Sequence, residues 1–401
     1  MRVFLLLALL ALSAPALAKG MAPRDVRCVD VHDARPERIG VHTLLLKTER
    51  LRGKPPTDYR VHTLRLHLLD EVSAKVSTLD VPLERLRAAF SPLLAGGVET
   101  KNRKGALLDN FMADAAHLSD DGKTLALRVK GPGAEGASHT AIVFWTVGTG
   151  RVVIAKDVHV RPRKSKATMT VLGRDATGAL LVLGSERIDA GSGRHVLDLH
   201  LQRIEPANAS KTTVWKHRTP PRRNDRIAAG TRYAFSADRK RLALPEYLED
   251  PAGEAAVHVV ELETGGHRAY PAPATTYGVA FASVGNALFL GSNRLGTVQR
   301  LDLATGKVER EAKGFPRLHK LIAASSGDFL FAFLKGGEIK ALYGMSMKPM
   351  AAASMRDARK LLGGTLYAQI APSSDSAFQS IGRTADKHGF GTLDRICVVR
   401  M

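Results

Sequence analysis

Few residue patterns in this 401-residue chain have spacings that could carry out chemistry. Gly131-Pro132-Gly133-Ala134-Glu135-Gly136 matches G-x-G-x-x-G. A dinucleotide fingerprint needs a helix directly afterwards, because the phosphate sits on the helix N-terminus. Here an alternating apolar stretch, Thr140 to Val147, follows instead, so the glycines form a hairpin loop. There is no G-x-S-x-G elbow, S-x-x-K, H-E-x-x-H or C-x-x-C. His62 and His67 lie five apart on one expected strand, which puts them on opposite faces and excludes them as a metal pair. The remaining histidines are scattered, and no metal centre or cofactor is expected. Glu246, Glu249, Asp250 and Glu254 fall close together and could offer oxygen ligands to calcium, but a solvated acidic loop is the better reading.

Charge is more informative. Lysine and arginine total 59 against 39 acidic residues, a formal net charge of +20. A surplus of this size favours acidic partners such as polyanionic glycans, anionic lipid head groups or nucleic acid. Aromatic residues make up only 5%, which argues against stacking platforms for single strands. The cations concentrate in segments between apolar runs: Lys101, Arg103 and Lys104; Arg161, Arg163, Lys164 and Lys166; Lys216, Arg218, Arg222, Arg223 and Arg226; Lys313, Arg317 and Lys320; Arg356, Arg359 and Lys360. The guanidinium fork suits phosphate, sulfate and carboxylate groups.

Residues 1–18 combine Arg2, an apolar run from Phe4 to Leu12 and an Ala16-Leu17-Ala18 ending. That is the pattern of a cleaved export signal, too short to span a bilayer, where about 20 apolar residues are needed. An exported chain folds in an oxidising setting, so Cys28 and Cys397, its two cysteines, are a candidate disulfide.

The elements that position these residues are short strands. Tyr277 to Glu311 (YGVAFASVGNALFLGSNRLGTVQRLDLATGKVERE) holds four alternating or apolar runs separated by turns rich in Gly, Asn and Ser. Ala115 to Leu127 and Tyr233 to Leu244 share its first half, each with a serine and an aspartate at the turn. Weaker copies occur at Val171 to Val182, Val279 to Leu290, Ile322 to Phe333 and Ile370 to Ile381. Ala141 to Gly150, Val257 to Gly265 and Val298 to Gly306 share its second half, an alternating strand ending in Thr-Gly. Taking Ser119, Asp175, Ser236, Ser283, Ser325 and Ser373 as anchors, the spacings are 56, 61, 47, 42 and 48 residues. Repeats of about 40–50 residues with loop insertions mean a ring of stacked units.

These repeats resemble WD40-like and TolB-type propellers (signature F-S-P-D-G-K-x-L-A, with Asp120 and Ala237 in place of the proline) and the V-x-D-L-x-T-G-K element of YVTN-type bacterial propellers. The expected fold is an all-β propeller of seven four-stranded blades, six or eight also being compatible, in a single domain over 19–401. One short helix is expected near 82–95, where Asp80 and Pro82 precede Leu83, Leu86, Phe90 and Leu94. The last unit ends with Thr392 to Val399, one strand short. The N-terminal strand around Cys28 could close the ring there and bring Cys28 beside Cys397. That leaves the first blade to be built from 41–81, which does not align cleanly with the repeat.

In a propeller the connections between blades emerge on one face, so the basic segments would gather into one surface. The resemblance implies a non-enzymatic binding platform; with the charge, the expected partner is a protein or an anionic envelope component, and the chain is expected to be a monomer. An enzyme working in the central funnel, as in lactonase-like or quinoprotein-like propellers, is the alternative. It would need convergent ionisable side chains on inner strands, which here are mostly Ala, Leu, Val and Phe.

Overall fold

The computed structural model describes residues 25–30, 35–39, 42–52, 59–69, 76–82, 85, 112–119, 121–132, 138–161, 167–221, 225–227, 232–248, 255–323, 328–334, 339–349, 372–374, 377–385 and 391–400. Its strands form seven separate antiparallel sheets taken in chain order. The first contains β2 (Arg35–Ile39), β3 (His42–Arg52), β4 (Tyr59–Leu69) and β5 (Val76–Val81). The second contains β6 (Met112–Leu118), β7 (Thr124–Pro132), β8 (Ser138–Thr146) and β9 (Val152–Arg161). The third contains β10 (Thr168–Arg174), β11 (Leu180–Gly191), β12 (Arg194–Ile204) and β13 (Lys211–Arg218).

In the fourth sheet two short pieces, β14 (Asp225–Ile227) and β15 (Ala234–Phe235), both pair with β16 (Arg241–Leu248). The sheet continues through β17 (Ala255–Glu261) and β18 (His267–Ala272). The fifth holds β19 (Thr276–Phe281), β20 (Ala287–Ser292), β21 (Thr297–Asp302) and β22 (Val308–Lys313). The sixth has three strands among the described residues: β23 (Leu318–Ala323), β24 (Phe329–Leu334) and β25 (Ile339–Tyr343). The seventh is β26 (Pro372–Ser374), β27 (Ala377–Ala385) and β28 (Gly391–Arg400), completed by β1 (Asp25–Asp30) from the other end of the chain. This is the β-propeller architecture. Of the helix expected near 82–95, only Pro82 and Arg85 are among the described residues.

The first sheet contains a strand that the repeat pattern missed. β2 supplies the fourth strand that 41–81 lacks, pairing Arg35 to Ile39 with Leu46 to His42. Its sequence, RPERI, has no apolar alternation and carries Pro36, which cannot donate to a ladder. Proline is tolerated at the free side of an outermost strand.

Period-two alternation makes each middle strand serve two interfaces at once. On β11, Leu180 and Val182 pack towards the second sheet with Ala126, Ile142 and Phe144. Leu181 and Leu183, on the other face, pack with Leu242, Leu244 and Val260 of the fourth sheet. On β20, Leu288 and Leu290 join Val257 and Val259 of the fourth sheet, while Phe289 joins Leu330 and Ala332 of the sixth. Each of these side chains is buried, and full burial of a Val, Leu or Phe stabilises by about 1.5–3 kcal/mol. The core is therefore a series of layers between neighbouring blades.

The repeated turns have a repeated chemistry. Ser119 Oγ donates to Asp121 Oδ1 at 2.5 Å and accepts from the Thr124 N–H at 2.8 Å. Ser236 does the same with Asp238 at 2.5 Å and Arg241 at 2.9 Å. Hydrogen bonding from the serine is the main reason both aspartates are held below the ordinary carboxylate range. Asp175 fills the serine's place in the third sheet, accepting from the Thr177 and Ala179 N–H groups. In the second turn family Gly150, Gly265 and Gly306 have φ of 70°, 72° and 71°, a conformation that glycine adopts without steric cost.

Candidate functional site

Among the described residues, a gathering of chemically capable side chains lies between the third and fourth sheets. His217 is on β13, Glu246 on β16, His258 on β17 and His267 on β18. The strand registers explain why they meet. Leu244 pairs with His258, so Glu246, two residues on, shares the face of His258 and its carboxylate reaches the next position across, the Ala256 N–H at 3.0 Å. Val260 pairs with His267, so His267 sits diagonally across from His258 on that same face. The face is packed against β13, whose Trp215 belongs to the layer shared with Leu242, Leu244 and Val260.

One ring nitrogen from each histidine lies within 4.8 Å of the other two. Glu246 Oε1 is 3.2 Å from His258 Nε2 and 3.9 Å from His217 Nε2. Trp215 stacks on the His217 ring, centroids 5.5 Å apart and planes 7° from parallel. His258 is 2% exposed and Glu246 4%, whereas His217 is half-buried and His267 faces solvent. Buried His217 Nε2 and His258 Nδ1 have no hydrogen-bond partner. Burial, followed by charge on His258 and His217, pushes the His267 pKa down, which favours its neutral, ligating form. Such a set can hold a proton between a carboxylate and imidazoles, or it can hold a metal ion.

Sequence reasoning passed over this cluster. The histidines are 41 and 9 residues apart, and His258 sits inside an ordinary apolar strand. A readable signal was the Thr264-Gly265 turn, which folds His267 back beside His258. The acidic-loop reading of Glu246 is corrected: it is a buried strand residue, while Glu249, Asp250 and Glu254 lie outside the described residues.

The basic candidates are only partly covered. Lys101, Arg103, Lys104, Arg163, Lys164, Arg222 and Arg223 lie outside the described residues. Arg161 is exposed at the end of β9, and exposed Arg317 (φ 55°) directly precedes β23. Lys320 is half-buried within β23, and Arg226 is in β14, opposite Tyr247, so neither is a loop residue. Lys216 and Arg218 likewise belong to β13, where Arg218 pairs with Asp198 at 2.7 Å. In an antiparallel four-stranded sheet the last strand ends where the first begins. Arg161 and Arg317 therefore flank connections of the same kind, from the last strand of one sheet to the first of the next. Cys28 and Cys397 are Cα partners in the β1/β28 ladder. Among the described residues no helix is long and apolar enough to cross a membrane.

No family model matches the chain, and no curated protein matches it. Among solved structures it is similar to a chain of a mitotic checkpoint complex, with TM-score 0.47 and 10% identity over 94% of each chain. It is also similar to a chain of a nidogen/laminin complex, with TM-score 0.37 and 10% identity over 77% of this chain and 91% of that one. A third is the Cps50 (Swd1) β-propeller domain of Myceliophteria thermophila, with TM-score 0.34 and 15% identity over 58% of this chain and 65% of that one. At such identities none of them speaks to what this chain does.

Proposed function

We propose that the protein is an exported β-propeller that works as a binding platform, presenting a basic face to an acidic partner of the cell envelope, either a polyanion or an acidic protein surface. The observation that carries this reading is the net charge of +20 on a seven-sheet fold whose inter-sheet connections hold many of the cations. Its repeat resemblance to TolB-type propellers supports the reading by analogy. The inner strands support it too. Arg174, at the end of β10, donates to the carbonyls of Gly178 at 2.7 Å, Thr124 at 2.9 Å and His117 at 3.3 Å. It thus braces the second and third sheets against each other, which is a scaffold role.

The test is retention of the mature protein on a heparin-like resin across a salt gradient, because screening weakens exposed charge pairs. Retention that falls steeply with salt, and elution at lower salt after Arg222→Glu with Arg223→Glu, supports the basic face. Weak retention, or elution that the charge reversals leave unchanged, overturns it. Pull-down from native envelope with the same variants then separates a protein partner from a polymer.

A further inference from the structure

The geometry points to a metal site: we propose that His217, His258 and His267 bind one divalent transition-metal ion of the Zn2+ class, with the Glu246 carboxylate balancing its charge. The site would join two blades, since His217 comes from β13 of the third sheet and the other ligands from β17 and β18 of the fourth. This inference does not rest on the basic face or on export.

Three observations carry it. The first is convergence. Zn–N bonds of 2.0–2.1 Å in a tetrahedral site put ligand nitrogens about 3.3 Å apart. The three ring nitrogens here already lie within 4.8 Å of one another, so the imidazoles need draw in by only about 1.5 Å. Exposed His267 has the room to make most of that movement. The second is unmet bonding capacity: His217 Nε2 and His258 Nδ1 are buried without a hydrogen-bond partner. Buried polar nitrogens of this kind are rare without a ligand or water.

The third is the carboxylate beside the rings: Glu246 Oε1 lies 3.2 Å from His258 Nε2 and 3.9 Å from His217 Nε2, placed to balance the charge of an ion that the imidazoles hold. Imidazole-rich donor sets suit Zn, Cu and Ni, whereas calcium and magnesium prefer oxygen. Trp215, stacked on His217 and 5.7 Å from His267 between ring centroids, gives the site an apolar wall that would keep water from competing.

The competing account is a metal-free structural contact between His258 and Glu246. The two accounts separate by titration of the untagged full-length protein, first stripped with chelator, against Zn2+ and, for its visible ligand-field spectrum, Co2+. The proposal expects one equivalent bound, a tetrahedral Co2+ spectrum and a higher melting temperature with Zn2+. His267→Ala removes an exposed side chain from the fourth sheet, so its metal-free melting temperature should stay near that of the parent. Its Zn2+ affinity should fall at least tenfold and the Co2+ spectrum should be lost. His267→Cys, which restores a Zn2+ ligand, should regain much of the affinity. No stoichiometric uptake by the parent, or uptake by His267→Ala equal to the parent's, overturns the site.

Discussion

Cys28 on β1 stands directly opposite Cys397 on β28, as Cα partners in the ladder that completes the seventh sheet. Opposed residues in an antiparallel pair have Cα atoms about 4.5 or 5.5 Å apart, within the span a disulfide bridges. A bond there would lock the strand that closes the ring. Cross-linking a loop of this length removes roughly 6 kcal/mol of unfolded-state entropy in the simple chain model. With that bond formed, the protein should show no maleimide-reactive thiol when denatured without reductant, and two after reduction. Cys397→Ser should melt markedly lower. Two thiols labelled in the unreduced protein would sink the bond.

The paired turns of the second and fourth sheets make a test of the repeat chemistry itself. The Arg241 N–H donates to Ser236 Oγ at 2.9 Å, and the Thr124 N–H to Ser119 Oγ at 2.8 Å. Ser236→Ala leaves a backbone donor without that acceptor and should destabilise by about 1–2 kcal/mol. Ser119→Ala should do the same by a similar amount, read as a shift in urea midpoint. Loss at one turn and not at the other would show that the two copies do not share a mechanism.

These turns are also why so much of the fold was legible. Serine, aspartate and glycine at a strand reversal dictate a local hydrogen-bond pattern, so Ser119, Ser236 and Thr305-Gly306 announce hairpins without any tertiary information. β2 was not legible because an outermost strand pairs on one side only and Pro36 disguises it. The histidine cluster was hidden for a different reason. His217 meets His258 only through packing between two sheets, and no spacing within one strand encodes that. Glu246 looked like the start of an acidic loop because Glu249 and Asp250 follow it. Only the β16/β17 register turns it inward.

Acid should loosen the contact between the second and third sheets through His117. Burial, with the nearby Arg174 and Arg128 charges, pushes its pKa from 6.5 down to about 4. In the unfolded chain His117 takes up a proton as pH falls through 6.5, whereas the folded protein resists until about 4. Stability is therefore full above 6.5 and declines between 6.5 and 4, by at most roughly 3 kcal/mol for a shift of this size. His159, His200 and His267 are shifted in the same direction and add to the slope. His117→Gln isolates one share: its stability should depend less on pH across this window than the parent's. Identical pH profiles would remove His117 from the account.

The approach of the fifth sheet to the sixth depends on two facing glycines. Gly278 and Gly291 are partners across β19 and β20, and Leu318 and Leu321 of β23 lie against them. A Cβ at Gly291 would come within 2.6 Å of Leu318 Cδ2 and 3.0 Å of Leu321 Cδ1. Leu318 is 1% exposed, so it has little space into which to move. Gly291→Ala should accordingly destabilise by about 1–3 kcal/mol, the usual result of overpacking. Leu318→Ala alone opens a cavity and should cost about 2–5 kcal/mol. Combined, the new methyl enters the space the leucine vacates, so the double variant should be more stable than the sum of the singles by about 0.5–3 kcal/mol. Urea unfolding of the four proteins measures this coupling. Strict additivity would mean that the two sheets are not held at the distance these glycines permit.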